Sequence, residues 1–162
     1  MMKTNAMRLL EQHQVEYQIL TFTYDETDLE AAQAAKEVGL PPSRVFKTLV
    51  LNGDKTGIVL ASLPADCDLN LKALARASGN KKVELLPVKE IPKVTGYVRE
   101  GVSPVGMKKN YPFYIDHRVT KEEKVAVSGG KRGVLMMLGS RDLIKITNAV
   151  LADLCHTDRT RS

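Results

Sequence analysis

The sequence predicts a mixed α/β domain of the α+β type. Apolar segments with helical and strand periods alternate along the whole chain, with no internal repeat or linker. The 162-residue length fits one domain spanning residues 1–162, and a chain of this size buries roughly 68–70% of its unfolded surface. The residues are 43% apolar and 27% charged, which is typical of a globular protein rather than a disordered one.

The first part of the chain predicts a helix, a strand and a second helix. Thr4 suits a helix N-cap, and the apolar residues after it recur with a helical period. Alternation over residues 15–21 predicts a strand. The Thr27–Glu30 capping box begins a helix over about 28–38, which Gly39 ends at its C′ position.

A β-hairpin and a helix are predicted next. Residues 46–51 form one strand, Asn52-Gly53 suits a two-residue turn, and residues 56–63 form the return strand. Asp68 suits the N-cap of the following helix, and Gly79 ends it.

The remaining chain predicts short strands and one more helix. The strands are expected at 83–86, 113–115, 124–127 and 134–138. Pro87 and Pro92 allow only short helical turns, and residues 96–110 form a loop punctuated by glycine and proline. Ser140 suits the N-cap of a last helix that runs to about Thr147.

Charge and composition exclude several classes of function. The net charge of +5 favours a polyanionic partner. No window approaches the roughly 18 apolar residues of a membrane helix, and the polar N-terminus resembles no signal peptide. We therefore expect a cytoplasmic protein with no membrane partner. Cys67 and Cys155 form no CxxC motif, and we expect both to be small buried residues. The three histidines lack metal-ligand spacing, so we expect no metal.

Lys47 is the first candidate functional residue. In the strand over 46–51 it shares a face with Val45, Leu49 and Leu51. A lysine on an apolar strand face is either a gatekeeper on an edge strand or a charge placed inside a cleft. In a cleft it could hold a phosphate, a carboxylate or a developing oxyanion.

Two glycine-rich segments are the other candidates. The segment 100–109 could present backbone amides to an anion, and its paired lysines could contact phosphates. The segment 128–133 places consecutive glycines beside Lys131 and Arg132, which could form an anion nest. Each segment also fits an ordinary surface turn. No Walker loop, GxSxG elbow or Ser-His-Asp arrangement is present.

Four segments in register resemble the YbaK/EbsC family, bacterial stand-alone relatives of the editing domain inserted in prolyl-tRNA synthetase. They are Val45-Phe46-Lys47-Thr48-Leu49, Thr95-Gly96-Tyr97, the run 101–109 (GVSPVGMKK) and the run 127–133 (VSGGKRG). The likeness extends from about residue 3 to residue 155.

The resemblance implies a mixed, partly barrel-like sheet flanked by helices, and an enzyme without a cofactor. The family cleaves Cys-tRNA(Pro) and can act on Cys-tRNA(Cys), alongside prolyl-tRNA synthetase, and the substrate thiol is thought to attack its own ester and release a thiolactone. Carried onto this chain, the catalytic residues are Lys47 and Gly101. The implied substrate-binding residues are Phe22, Thr48, Ser103, Pro104, Ser128 and Gly129. Candidate tRNA phosphate contacts are Lys81, Lys82, Lys108, Lys109, Lys131 and Arg132.

The sequence departs from the family pattern at three positions. Glu100 replaces the first glycine of the GGxSP form, Phe22 stands where some members have tyrosine, and Leu135 where some have aspartate. These departures leave two alternatives open. One is a deacylase for tRNA mischarged with alanine or serine, and the other is a non-catalytic module that binds tRNA or a synthetase.

Overall fold

The computed structural model describes residues 3–23 and 31–156. The helices are α1 (Asn5–Gln12), α2 (Ala31–Val38), α3 (Leu71–Ser78), α4 (Ile91–Thr95) and α5 (Ser140–Thr147). The strands are β1 (Tyr17–Thr21), β2 (Phe46–Gly53), β3 (Gly57–Pro64), β4 (Val83–Leu85), β5 (Phe113–Asp116), β6 (Lys124–Ser128), β7 (Val134–Gly139) and β8 (Val150–Ala152). No helix within the described ranges is long and apolar enough to cross a membrane.

The strands form two sheets. The smaller sheet is antiparallel with the order β1-β7-β6, and the larger has the order β4-β2-β3-β5-β8. In the larger sheet β5 runs parallel to both β3 and β8, while β2 is antiparallel to β3 and β4. An isolated bridge between Val45 and Ala126 joins the two sheets into a partly closed arrangement. The predicted α+β class, with a mixed sheet and flanking helices, is confirmed.

Strand β2 and the residue before it, Val45, contribute to three buried clusters. Phe46 belongs to the largest cluster, which draws on both sheets and on α1. Leu51 packs in a second cluster against α3, and Val45 packs in a third against α2 and β7. Because burial on several sides holds the backbone of β2 in place, side chains that leave this strand are firmly positioned.

Most predicted elements are confirmed, including two helix signals. The Thr4 side chain accepts a hydrogen bond from the Met7 N–H at 3.2 Å, as a cap should. Gly79 ends α3 with a φ of +79°, in the left-handed region that glycine adopts without strain. The Thr27–Glu30 capping box lies outside the described residues.

The predicted Asn52-Gly53 turn is wrong. Both residues belong to β2, where Gly53 pairs with Gly57, and the turn is made by residues 54–56. Asn80 explains the shift, because its Oδ1 accepts from the N–H groups of Lys55 and Thr56 at 2.8 and 3.0 Å. A Cβ on Gly53 would lie 2.4 Å from the Asn80 side chain. Gly53 therefore makes room for the asparagine rather than for a tight turn.

Two predicted caps are also wrong, and one strand was not predicted. Asn70, not Asp68, caps α3, and its side chain accepts from the Ala73 N–H at 3.1 Å. Ser140 begins α5 instead of capping it, and its hydroxyl donates to the Glu122 carbonyl at 2.6 Å. Strand β8 is only three residues long and is held by its parallel pairing with β5, which local patterns do not reveal.

Candidate functional site

A cleft opens along one edge of β2. Strand β3 pairs with β2 from Phe46 to Gly53. On the other edge β4 pairs with residues 51–53, and β6 forms a β-bridge with Val45, the residue before β2. The intervening stretch has no paired strand on that edge within the described residues. The cleft beside this unpaired stretch has a volume of about 810 Å³. We call it the Lys47 cleft.

The open edge exposes peptide groups as well as side chains. The Leu86 N–H donates to the Val50 carbonyl at 2.9 Å, so the peptide groups of Val50 point away from β3. Hydrogen-bonding groups alternate between the two edges of a strand. The N–H and C=O of Thr48 therefore face the cleft, where a ligand can meet a donor and an acceptor in fixed positions.

Lys47 lines this cleft and is half-buried. Within residues 3–23 and 31–156, its ammonium makes no hydrogen bond and no ion pair. Its strand is paired along one whole edge and packs in two buried clusters, so the gatekeeper interpretation fits poorly. A half-buried cation with no internal counter-charge is available to an anionic or polarised group of a ligand.

Three acidic residues on the cleft surface were not predicted as site residues from the sequence. Glu37, Asp66 and Asp68 line the same cleft. The signal that could have found the last two is the hairpin register, because Phe46 pairs with Pro64. Residues that follow β3 must therefore lie beside the start of β2.

The loop after α4 packs tightly behind the cleft. Val102 and Arg99 line the cleft, whereas Gly101 is buried against the turn between β6 and β7. A Cβ on Gly101 would lie 2.8 Å from the Cα of Lys131. Glycine at position 101 is thus required for the close approach of the two segments, and the approach sets how far Val102 reaches into the cleft.

The side chains of Ser103 and Pro104 do not line the Lys47 cleft. Ser103 is fully buried, and its hydroxyl accepts from the Val105 N–H at 3.2 Å. Pro104 lines a separate cavity of about 210 Å³ between the loop and β5. Their side chains support the loop, and neither is among the residues that line the Lys47 cleft.

The turn between β6 and β7 brings Ser128 to the cleft. The Ser128 hydroxyl accepts from the Gly130 N–H at 3.2 Å, and the Gly129 N–H donates to the Val134 carbonyl at 2.8 Å. Thr4 connects the start of α1 to this turn, because its hydroxyl donates to the Gly129 carbonyl at 2.6 Å. Ser128, Phe22 and Thr48 line the cleft together with Lys47. Gly129 is not among the residues that line it.

The six candidate phosphate contacts are all exposed: Lys81, Lys82, Lys108, Lys109, Lys131 and Arg132. Lys82 forms an ion pair with Glu84 at 2.8 Å, and Lys108 donates to the Lys93 carbonyl at 3.3 Å. None of the six lines the Lys47 cleft. They belong to the segments just before β4, after the glycine-rich loop and in the β6–β7 turn.

The remaining titratable clusters contribute little to this site. Asp116, His117 and Asp153 bring three ligand atoms within 4.8 Å of one another, but none of them lines the cleft. The Asp116 carboxylate already accepts from Arg118 and from the Leu154 N–H. Burial raises the pKa of the Cys155 thiol, so it stays protonated at neutral pH and supplies no thiolate. Cys67 is half-buried, not buried as expected.

Tyr97 fastens the loop and supplies a pH-dependent contribution to stability. Its hydroxyl donates to the Val105 carbonyl at 2.6 Å and to the Gly106 carbonyl at 3.1 Å. Burial raises the pKa of Tyr97 to about 12, whereas an unfolded tyrosine has a pKa near ~10. Between pH ~10 and ~12 Tyr97 therefore keeps its proton in the folded state and loses it in the unfolded state. The stability that Tyr97 contributes is fully present below pH ~10 and is lost as the pH approaches ~12.

We predict that Tyr97→Phe lowers the free energy of unfolding by about 1–2 kcal/mol at pH 8, because two carbonyls lose their donor. The stability of the variant should also fall less steeply than that of the unmodified protein between pH 10 and 12. Urea unfolding at pH 8 and pH 11 measures both effects. Tyr114→Phe is the control, because the Tyr114 hydroxyl makes no hydrogen bond within residues 3–23 and 31–156. Equal pH slopes for Tyr97→Phe and the unmodified protein would contradict the prediction.

Comparison with known proteins agrees with this architecture. The fold and the cleft define a domain of the aminoacyl-tRNA editing class, and the sequence pattern of the aminoacyl-tRNA editing domain matches residues 26–146. The chain is 45% identical over 152 residues to the candidate Cys-tRNA(Pro)/Cys-tRNA(Cys) deacylase EbsC of Enterococcus faecalis, covering 94% of this chain and 93% of that protein. The chain therefore belongs to the aminoacyl-tRNA editing domain family, and the resemblance to YbaK/EbsC proteins is confirmed.

Two further relatives extend the comparison. The solved structure of a candidate trans-editing enzyme for prolyl-tRNA synthetase superposes with a TM-score of 0.81 at 26% identity, covering 96% of this chain and 99% of that one. The proline–tRNA ligase of Brachyspira hyodysenteriae is 26% identical over 86 residues, which is 53% of this chain and 15% of the ligase.

Proposed function

We propose that this protein is a trans-editing aminoacyl-tRNA deacylase that cleaves the ester bond of mischarged Cys-tRNA(Pro), and that it can also act on Cys-tRNA(Cys). The observation that carries the proposal is Lys47, a half-buried cation without an internal partner in the described chain, on a cleft at an open strand edge. The relationship to EbsC, 45% identical across nearly the full length, supports the choice of substrate.

The chemistry needs donors more than it needs a nucleophile, because an aminoacyl ester is already activated. Negative charge develops on the carbonyl oxygen when the ester is attacked. The Lys47 ammonium and the Thr48 N–H are the donors for that oxygen, and the Thr48 carbonyl is an acceptor for the α-ammonium of the substrate. Fixed donors of this kind lower the barrier without reorganising during the reaction.

The attacking group in the cysteine reaction is the substrate thiol. Its sulfur forms a bond to the ester carbonyl carbon, and the bond from that carbon to the ribose oxygen breaks. The thiol proton passes to the departing ribose oxygen, which becomes a hydroxyl. The products are a cysteine thiolactone and uncharged tRNA. Water acting in place of the thiol gives free amino acid by the same donor arrangement, and this route serves substrates without a thiol.

A second candidate substrate class follows from the cleft lining. The side next to α2 includes the small or apolar residues Ala31, Ala34, Ala65 and Leu135, together with the polar Gln33 and Glu37. Such a lining discriminates only modestly between the CH2SH group of cysteine, the methyl group of alanine and the hydroxymethyl group of serine. One small group changes binding by only about 1–3 kcal/mol. Mischarged tRNA that carries alanine or serine is therefore the alternative. A non-catalytic tRNA- or synthetase-binding module is the third possibility.

The exposed lysines suit a tRNA partner. Phosphate contacts from Lys81, Lys82, Lys108, Lys109, Lys131 and Arg132 position the acceptor end without reading its sequence. Binding through such contacts weakens as salt rises. Prolyl-tRNA synthetase is the proposed protein partner, because it releases the mischarged tRNA, and the cytoplasm is the proposed location.

A panel of charged tRNAs tests this function. Cys-, Ala-, Ser- and Pro-tRNA(Pro) are incubated with the unmodified protein, and the remaining ester is followed with time. We expect Cys-tRNA(Pro) to be cleaved fastest and Pro-tRNA(Pro) to be spared. Faster cleavage of Ala- or Ser-tRNA(Pro) would favour the second candidate and exclude thiol assistance for that reaction. Tight tRNA binding with no cleavage of any substrate would favour the binding module.

A further inference from the structure

The end of the Lys47 cleft next to β4 carries an exposed apolar wall. It consists of Leu85, Leu86 and Val88, all of which line the cleft. Leu85 is 61% exposed and Val88 is 52% exposed, although both are large apolar residues. Exposed apolar residues grouped on the surface of a cleft indicate a contact with a ligand or partner. We call these three residues the Leu85 wall.

The wall lies at a definite distance from Lys47. Leu85 pairs with Leu51, which is four residues along β2 from Lys47. At the usual strand rise, four residues span about 13 Å. The wall therefore borders the same cleft as Lys47 but does not share the position of the reacting carbonyl.

We infer that the Leu85 wall is the subsite for the 3′-terminal nucleoside of the tRNA, with the adenine base packed on the aliphatic side chains. This inference rests on the proposed function and assigns the part of the substrate that Lys47 does not contact. A cleft of about 810 Å³ holds much more than one aminoacyl group. The rest of an aminoacyl ester of tRNA is its ribose and base, and a base offers an apolar face that packs on apolar side chains.

Charge around the wall agrees with a nucleotide. Lys89 follows Val88 directly and Lys81 precedes β4, and both are exposed, whereas Lys82 is ion-paired with Glu84. An apolar surface bordered by lysines suits a base followed by phosphates. The edge of β4 is less suited to pairing with a strand of another protein, because β4 has only three residues and Pro87 follows it closely.

The test separates the nucleoside from the acyl group. Cleavage of 3′-O-cysteinyladenosine is compared with cleavage of cysteine methyl ester, which lacks the nucleoside. The variant is Leu85→Ser with Val88→Ser, and the matched control is Leu71→Ser with Leu151→Ser, whose side chains are 44% and 45% exposed and do not line the cleft. Circular dichroism verifies that each variant is folded.

We expect the wall variant to raise KM for cysteinyladenosine about tenfold, in line with the loss of base packing. Its rate on the methyl ester and both rates of the control variant should stay unchanged. Equal losses on both esters would overturn the inference, because the wall would then serve the acyl group. Unchanged KM for cysteinyladenosine would overturn it as well, while leaving the proposed deacylase function intact.

Binding gives a second readout that does not depend on catalysis. The non-hydrolysable amide 3′-cysteinylamino-3′-deoxyadenosine is titrated by calorimetry into the unmodified protein and both variants. We expect about tenfold weaker binding only in the wall variant. If analogue binding is unchanged and binding to prolyl-tRNA synthetase is lost instead, the wall is a protein interface and the inference fails.

Discussion

Replacing Lys47 by alanine is expected to slow deacylation of Cys-tRNA(Pro) by roughly 10²–10³-fold, the usual cost of removing one oxyanion donor. Lys47 lines the cleft on a strand that packs in two buried clusters. The loss should appear in the single-turnover rate at saturating protein rather than in tRNA affinity, because the donor acts on charge that develops during the reaction. Quenched samples that report the remaining Cys-tRNA(Pro) measure this rate.

The fold of this variant should survive. Lys47 has no hydrogen bond or ion pair within the described ranges, so its removal leaves no polar group unpaired there. Lys124→Ala is the matched control, since Lys124 is an exposed strand lysine that does not line the cleft. If Lys47→Ala retained the full single-turnover rate, the chemistry would have to be assigned to other residues.

Gly101→Ala is expected to impair both stability and activity. The added Cβ would lie 2.8 Å from the Cα and 2.9 Å from the carbonyl carbon of Lys131. Backbone atoms cannot rotate out of the way as a side chain does, so the loop and the β6–β7 turn must separate. We expect a loss of about 1–3 kcal/mol in the free energy of unfolding. Displacement of the cleft surface by about 1 Å should slow cleavage by roughly 10²-fold.

Gly57→Ala separates the two effects. Gly57 has a φ of +78° at the end of the hairpin turn, and a Cβ there meets nothing within 4 Å. This control should lose about 1 kcal/mol of stability from backbone strain, while its activity stays unchanged. Thermal unfolding and the single-turnover assay are run on both variants. Full activity in Gly101→Ala would contradict the proposed contact between loop, turn and cleft.

Local patterns were sufficient for the parts of the fold that local contacts hold. The Thr4 cap depends on residues three positions apart, and the strand that carries Lys47 was predicted from its own segment, residues 46–51. The hairpin turn was mispredicted because Asn80 holds it from 24 and 25 residues away. A pattern read over a few residues cannot contain that contact.

The candidate site was predictable only in part for the same reason. The face shared by Lys47 and Leu49 was visible in the sequence, and both residues line the cleft. The Leu85 wall was not, because Leu85 and Val88 look like ordinary core residues until the sheet order leaves them exposed. Pro104 belonged to a glycine-rich motif, but the folded loop directs it to another cavity.

The central claim is that the Lys47 cleft accelerates cleavage of an aminoacyl ester on tRNA. The most direct measurement is the rate constant for loss of Cys-tRNA(Pro) with saturating unmodified protein, divided by the rate constant without protein in the same buffer. We expect this ratio to be at least on the order of 10², the contribution of one well-placed donor. A ratio of one, with the protein folded and bound to the tRNA, would contradict the account.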